Sequence, residues 1–203
     1  MKRPRKPVLT GDWWLIGPSP NLKGIVPAAE TWQGQYNEHN APVDHHIVQD
    51  VTGIWHLWGC VRNTAVGRIF YHWRTDDITN SPWECTAEIL RISSDYGESY
   101  GSSPGEGSDE RPHEECIQSP YFVKVDGTFY MFYGAGQARP TDEEARALVS
   151  NPEWGSGGAQ MSLMTSPDGI NWTRHRNADG NSRLFIGPGP TRDPCIIKIG
   201  DLW

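Results

Sequence analysis

From Val43 onward, short apolar runs alternate with glycine-containing turns, and three stretches of the chain can be laid over one another. The first is Val43-Asp44-His45-His46-Ile47-Val48-Gln49, a turn to Gly53, then Ile54-Trp55-His56-Leu57-Trp58. The second is Gln118-Ser119-Pro120-Tyr121-Phe122-Val123-Lys124, a turn at Asp126-Gly127, then Phe129-Tyr130-Met131-Phe132-Tyr133. The third is Arg192-Asp193-Pro194-Cys195-Ile196-Ile197-Lys198, a turn at Gly200-Asp201, then Leu202-Trp203. Aligned on Asp44, Ser119 and Asp193, they recur about every 75 residues. A short apolar strand, a tight turn and an aromatic-rich strand together predict a β-hairpin.

Two of the units continue. Unit one runs on through Gly67-Arg68-Ile69-Phe70-Tyr71-His72-Trp73, a turn at Asp76-Asp77, and Trp83-Glu84-Cys85. Unit two runs on through Gln160-Met161-Ser162-Leu163-Met164, a turn at Ser166-Pro167-Asp168-Gly169, and Asn171-Trp172-Thr173. Four antiparallel strands repeated at a long fixed period predict an all-β fold of β-propeller blades. The expected organisation is one domain: a lead-in over residues 1–42, blade unit one over 43–92, a polar loop over 93–115, blade unit two over 116–176, and the start of unit three over 191–203. Residues 141–149 predict one short helix, with Thr141 as N-cap and Glu144 at the capping-box position. Blades bury their faces only against neighbours, so roughly two and a half blades cannot close a ring. The expectation is that Trp203 is not the natural end of the functional protein, or that the ring is completed in some other way.

Composition agrees with this. Ten Trp, 22 Gly and 16 Pro suit a turn-rich β protein and disfavour a helical bundle. Indole rings also stack on the apolar faces of sugars, although most of the Trp are expected in packing. A net charge of −7 argues against a nucleic-acid partner, which needs a clustered basic face. No apolar stretch approaches the ~20 residues of a membrane helix. The basic start (Lys2, Arg3, Arg5, Lys6) is followed by Gly11-Asp12 and not by an apolar segment, so no export signal is visible and a cytoplasmic location is the default expectation. Cys60, Cys85, Cys116 and Cys195 form no CxxC pair and are expected to be small buried free thiols.

The hairpin units, Thr191-Arg192-Asp193-Pro194 and the turn Thr165-Ser166-Pro167-Asp168-Gly169-Ile170-Asn171-Trp172 resemble the five-bladed β-propeller glycoside hydrolases of families 32, 43, 62, 68 and 117. The resemblance runs from about Val43 to Trp203 and is nearest in style to family 32. It implies a glycosidase acting on an oligo- or polysaccharide, with a carbohydrate substrate and no cofactor. It places Asp44 at the family's first-blade Asp and Arg192-Asp193-Pro194 at its Arg-Asp-Pro. Asp44 is followed by His45-His46 where family 32 has Pro-Asn-Gly, so sucrose or fructan specificity is not implied. The family's acid–base Glu is expected beyond Trp203. Glu84 falls in an outer strand, and Glu115 is a weaker substitute.

Glycosidic cleavage normally uses two carboxyl groups, one to protonate the leaving oxygen and one as nucleophile or base. Aligned positions at the start of innermost propeller strands converge on the axis, so Asp44 and Asp193 are expected to share a pocket, while the matching Ser119 is not acidic. Asp44 is assigned as nucleophile or general base, and Asp193 as transition-state stabiliser and orienting group. His45, Arg192, Gln118 and Trp32 are the expected substrate-binding residues. No metal is expected, because adjacent strand residues such as His45 and His46 point to opposite faces. Two alternatives stay open: a propeller that binds carbohydrate without catalysis, and a phosphorolytic relative.

Overall fold

The computed structural model describes residues 10–12, 15–20, 42–64, 67–98, 115–136, 159–186 and 193–199. Trp32, Arg192 and the expected helix over 141–149 lie outside the described residues.

The described chain is all-β. Its strands are β1 (Pro42–Gln49), β2 (Trp55–Thr64), β3 (Gly67–Thr75), β4 (Glu84–Leu90), β5 (Glu115–Val125), β6 (Thr128–Gly136), β7 (Ala159–Ser166), β8 (Thr173–Arg174) and β9 (Arg183–Phe185). A 3-10 turn occupies Ser94–Tyr96. Strands β1 to β4 pair antiparallel in chain order, through Ile47↔Leu57, Leu57↔Trp73 and Trp73↔Cys85. Strands β5, β6 and β7 do the same, and both β8 and β9 then pair with β7. A short parallel contact, Gly67↔Glu115 and Arg68↔Cys116, joins the two meanders.

The central strands of the first meander are buried on both faces, which is why they read as near-continuous apolar runs. Leu57, Trp58, Cys60 and Val61 of β2 and Ile69, Phe70, Tyr71 and Trp73 of β3 are all core residues. Met131, Tyr133 and Ala135 of β6 extend that core into the second meander, with Trp172 packed on Phe122 at its edge. Burying a large apolar side chain of this kind is worth about 1.5–3 kcal/mol. A polar chain crosses the first meander: Asp50 meets His56 (3.0 Å), His56 meets His72 (2.8 Å), and His72 meets Thr86 (2.9 Å). Burial alone would raise Asp50, but hydrogen bonds from His56, Thr52 and Ile54 outweigh it and hold its carboxyl low.

The turns repeat as well as the strands. The β5–β6 hairpin closes through Asp126-Gly127, both at positive φ (47° and 84°), the geometry that matches the twist of flanking strands. After β3, Asp77 accepts from the N–H and hydroxyl of Thr79 and from the side chain of Asn80. After β7, Asp168 accepts from the N–H groups of Ile170 and Asn171 and from the side chain of Asn171. In both turns a hydroxyl two residues earlier, Thr75 or Ser166, accepts from the Asp N–H. The Asp168 turn docks on the β1–β2 turn, where Val51 N–H donates to the Asp168 carbonyl (3.1 Å).

Three details depart from the sequence reading. The fourth strand of unit two is only Thr173–Arg174, and an unexpected β9 covers the other end of β7. Residues 193–199 carry an isolated bridge at Ile199 in place of the expected strand, whose hairpin partner falls outside the described residues. None of the four thiols is in a disulfide, but Cys60 alone is buried; Cys85 and Cys116 are half-buried and Cys195 is exposed.

Candidate functional site

Non-glycine residues rarely adopt positive φ. Apart from Asp126 in its hairpin turn, the described residues that do so are Asp44 (40°), Ser119 (55°) and Asp193 (58°), the three positions the sequence repeat aligns. At Asp44 the β1–β2 register skips between Val43 and His45, and at Ser119 the β5–β6 register skips between Gln118 and Tyr121. Such bulges re-aim a side chain away from the strand's alternation, at a cost of ~1–3 kcal/mol per strained residue.

The re-aimed side chains meet. The Ser119 Oγ lies 3.2 Å from Oδ2 of Asp44 and 2.5 Å from Oδ1 of Asp193, although the three are 74 and 75 residues apart in the chain. Around them is an open pocket of about 400 Å³, lined by Asp44, His45, His46, Ser119, Pro120, Tyr121, Asp193 and Pro194. Ser119 is buried, while both carboxylates are exposed to solvent.

The wall of the pocket is built by β1 and β5 together. The Phe122 N–H donates to Nδ1 of His46 (3.0 Å), so the ring proton of the neutral imidazole sits on Nε2. The His46 ring also meets Tyr121 edge-on at 4.6 Å between centroids. Burial, and then the charge of His45, hold His46 below the ordinary imidazole range. Tyr121 donates its hydroxyl to the Ile196 carbonyl (3.2 Å), tying residues 193–199 to β5. Burial and the neighbouring Cys195 thiol push this phenol up, which keeps it a donor.

Of the expected site residues, the structure brings Asp44, Asp193 and His45 together at the pocket. Gln118 is not part of its lining: it is buried and accepts from Nη1 of Arg68, because the bulge turns its neighbour Ser119 inward. Arg192 and Trp32 lie outside the described residues. Tyr121 and His46 line the pocket without having been assigned a role from the sequence, and Ser119, aligned with the two Asp by the repeat, had been set aside as not acidic. His45 and His46 pair in regular register with Gly59 and Trp58, and both line the pocket: His45 is exposed on the rim and His46 is half-buried in the wall against Tyr121 and Phe122. The Pro that follows Ser119, as one follows Asp193, is a further mark of the shared position.

The other acidic side chains considered for the site are engaged elsewhere. Glu84 pairs with Arg74 at the surface (2.9 Å). Glu115, the substitute acid of the sequence reading, is buried and bound by the Arg91 guanidinium and the Ile92 N–H. Glu98, in the run read as loop, is almost wholly buried. It accepts from the Tyr133 hydroxyl (2.5 Å), the Ser182 hydroxyl (2.8 Å), the Ser93 N–H (2.8 Å) and the Arg174 guanidinium (3.0 and 3.1 Å). Among the described residues no three His, Cys, Asp or Glu side chains are grouped to hold a metal ion, and no helix is long and apolar enough to cross a membrane.

No protein-family model matches the chain, and no curated protein matches it. Among solved structures, it is similar to Zg3597, a family 117 glycoside hydrolase produced by the marine bacterium Zobellia galactanivorans, at 16% identity and a TM-score of 0.37. It is also similar to the α-L-arabinanase of Penicillium chrysogenum, solved in complex with arabinobiose, at 13% identity and a TM-score of 0.26. Each likeness covers 68% of this chain, and the chain spans 40% and 49% of those two structures.

Proposed function

We propose that the protein is a glycoside hydrolase built on a five-bladed β-propeller of four-stranded blades, of which residues 43–92 and 116–176 are two. In this reading the pocket at Asp44 takes a sugar unit of an oligo- or polysaccharide. The observation that carries it is the convergence of Asp44, Ser119 and Asp193, three repeat positions with the same rare backbone, on one exposed pocket.

The pair acts from one side of the scissile bond. The Ser119 hydroxyl bridges the two carboxylates, 3.2 Å from Asp44 and 2.5 Å from Asp193, and both line the same pocket. In this reading Asp44 and Asp193 are not each other's acid–base partner. Asp44 serves as nucleophile or general base toward the anomeric carbon, and Asp193 orients the sugar and offsets the charge that develops there. The proton for the leaving oxygen comes from a third group outside the described residues. His45, exposed on the same rim, supplies a hydrogen-bonding group to sugar hydroxyls, and Arg192, next to Asp193 in the chain, is proposed to do the same.

Release of new reducing ends from neutral oligosaccharides tests the reading, with ligand titration run beside it. Turnover that stops when Asp44 is neutralised supports hydrolysis. Saturable sugar binding without turnover in the full-length protein contradicts it and assigns the same pocket to carbohydrate binding alone.

A further inference from the structure

Ser119 occupies, on β5, the place that Asp44 and Asp193 occupy in their own segments, and it is the buried member of the three. A serine hydroxyl has one proton to give and two lone pairs to accept with, whereas an ionised carboxylate only accepts. Ser119 Oγ faces one carboxylate oxygen on each side, so it can give a full hydrogen bond to one of them. The distances identify which. At 2.5 Å, the contact with Asp193 has the length of a charge-assisted O–H to carboxylate bond. At 3.2 Å, the contact with Asp44 is longer than the usual range for such bonds.

We infer that Ser119 is a positioning residue that makes two chemically identical carboxylates unequal. Its proton clamps Asp193 against the pocket wall as a fixed orienting group. Asp44, at 3.2 Å, takes the weaker share of that hydroxyl and keeps most of its acceptor capacity for the substrate. This rests on reading the pocket as a glycosidase site, and the clamp itself is a statement about geometry that can be checked without substrate.

The test compares Ser119→Gly with Ser119→Ala. Both remove the hydroxyl, but glycine accepts a φ of 55° without strain and alanine does not. If the hydroxyl matters, the two variants lose kcat alike, by about 100-fold, as misplacement of an orienting group by ~1 Å can do, with KM little changed. In an Asp193→Asn background Ser119→Gly then has no further effect, since it acts through a group already altered. Crystal structures of Ser119→Gly and wild type supply the readout independent of activity: the Asp193 carboxylate turns to a new rotamer in the variant. An unmoved Asp193, a wild-type kcat for Ser119→Gly, or losses that add to those of Asp193→Asn each overturn the inference. A wild-type rate in Asp44→Asn overturns the glycosidase reading instead, and a displaced Asp193 in the Ser119→Gly crystal then still supports the clamp.

Discussion

The backbone N–H of Phe122 donates to Nδ1 of His46 across 3.0 Å, joining the first strand of one meander to the first strand of the next. That bond requires an unprotonated Nδ1. Burial and the charge of His45 hold the folded His46 below its ordinary 6.5, so its contribution to stability is present above that value and is lost as pH falls through the lowered one. Melting curves from pH 8 to pH 5 are expected to show a fall in Tm below about 6.5 that a His46→Gln variant lacks. Parallel pH profiles for the two proteins would remove His46 from this role.

Glu98 and Arg174 form the buried counterpart of the exposed pocket. The Glu98 carboxylate collects the Tyr133, Ser182 and Ser93 donors as well as the guanidinium, and Tyr133 is pushed up by burial first and by Glu98 second. Replacing Glu98 with Ala leaves Arg174, whose side chain is 13% exposed, without its charge partner. The expected loss is about 3–5 kcal/mol of stability, typical of breaking one half of a buried pair. Urea denaturation measures it, and the pH profile of any turnover should keep its shape in the folded fraction. A stable Glu98→Ala protein with an altered acid limb would assign Glu98 to the chemistry instead.

Gly169 and Gly127 have nearly the same φ, 85° and 84°, in different surroundings. A Cβ at Gly127 meets nothing within 4 Å, whereas at Gly169 it lies 3.1 Å from Asp50 Cα and 3.3 Å from Phe129 Cε1. Both alanine variants carry the left-handed conformational cost of about 1–2 kcal/mol. Gly169→Ala is expected to cost ~1–3 kcal/mol more, because it forces the Asp168 turn off the β1–β2 turn. Equal shifts in urea midpoint would contradict that packing.

What was legible in the sequence follows from which physics is local. The repeat of apolar runs and glycine turns located β1, β2, β3, β5, β6 and β7, because strand periodicity and turn chemistry are written within a few residues. The shared register of Asp44 and Asp193 was legible for the same reason. The bulges were not, since a register skip depends on the partner strand, so the repeat aligned Ser119 with the two Asp but gave it no role, and Gln118 was expected at the pocket that its neighbour lines. Glu98 was lost in a polar run, as its partners Arg174 and Ser182 lie 76 and 84 residues further on. Strand β9 was short, and nothing local to Arg183–Phe185 announced that β7 had an end left to cover.

Asp44 is proposed to perform carboxylate chemistry on a sugar bound at the pocket it shares with Ser119 and Asp193. The most direct measurement is the turnover of an oligosaccharide substrate by Asp44→Asn beside wild type, with substrate affinity measured by titration on both proteins. The expected result is a fall in kcat of at least about 1,000-fold with affinity held within a few fold, because the substitution keeps the side chain's shape and removes its charge from the reacting atoms. A kcat for Asp44→Asn close to that of wild type would contradict it.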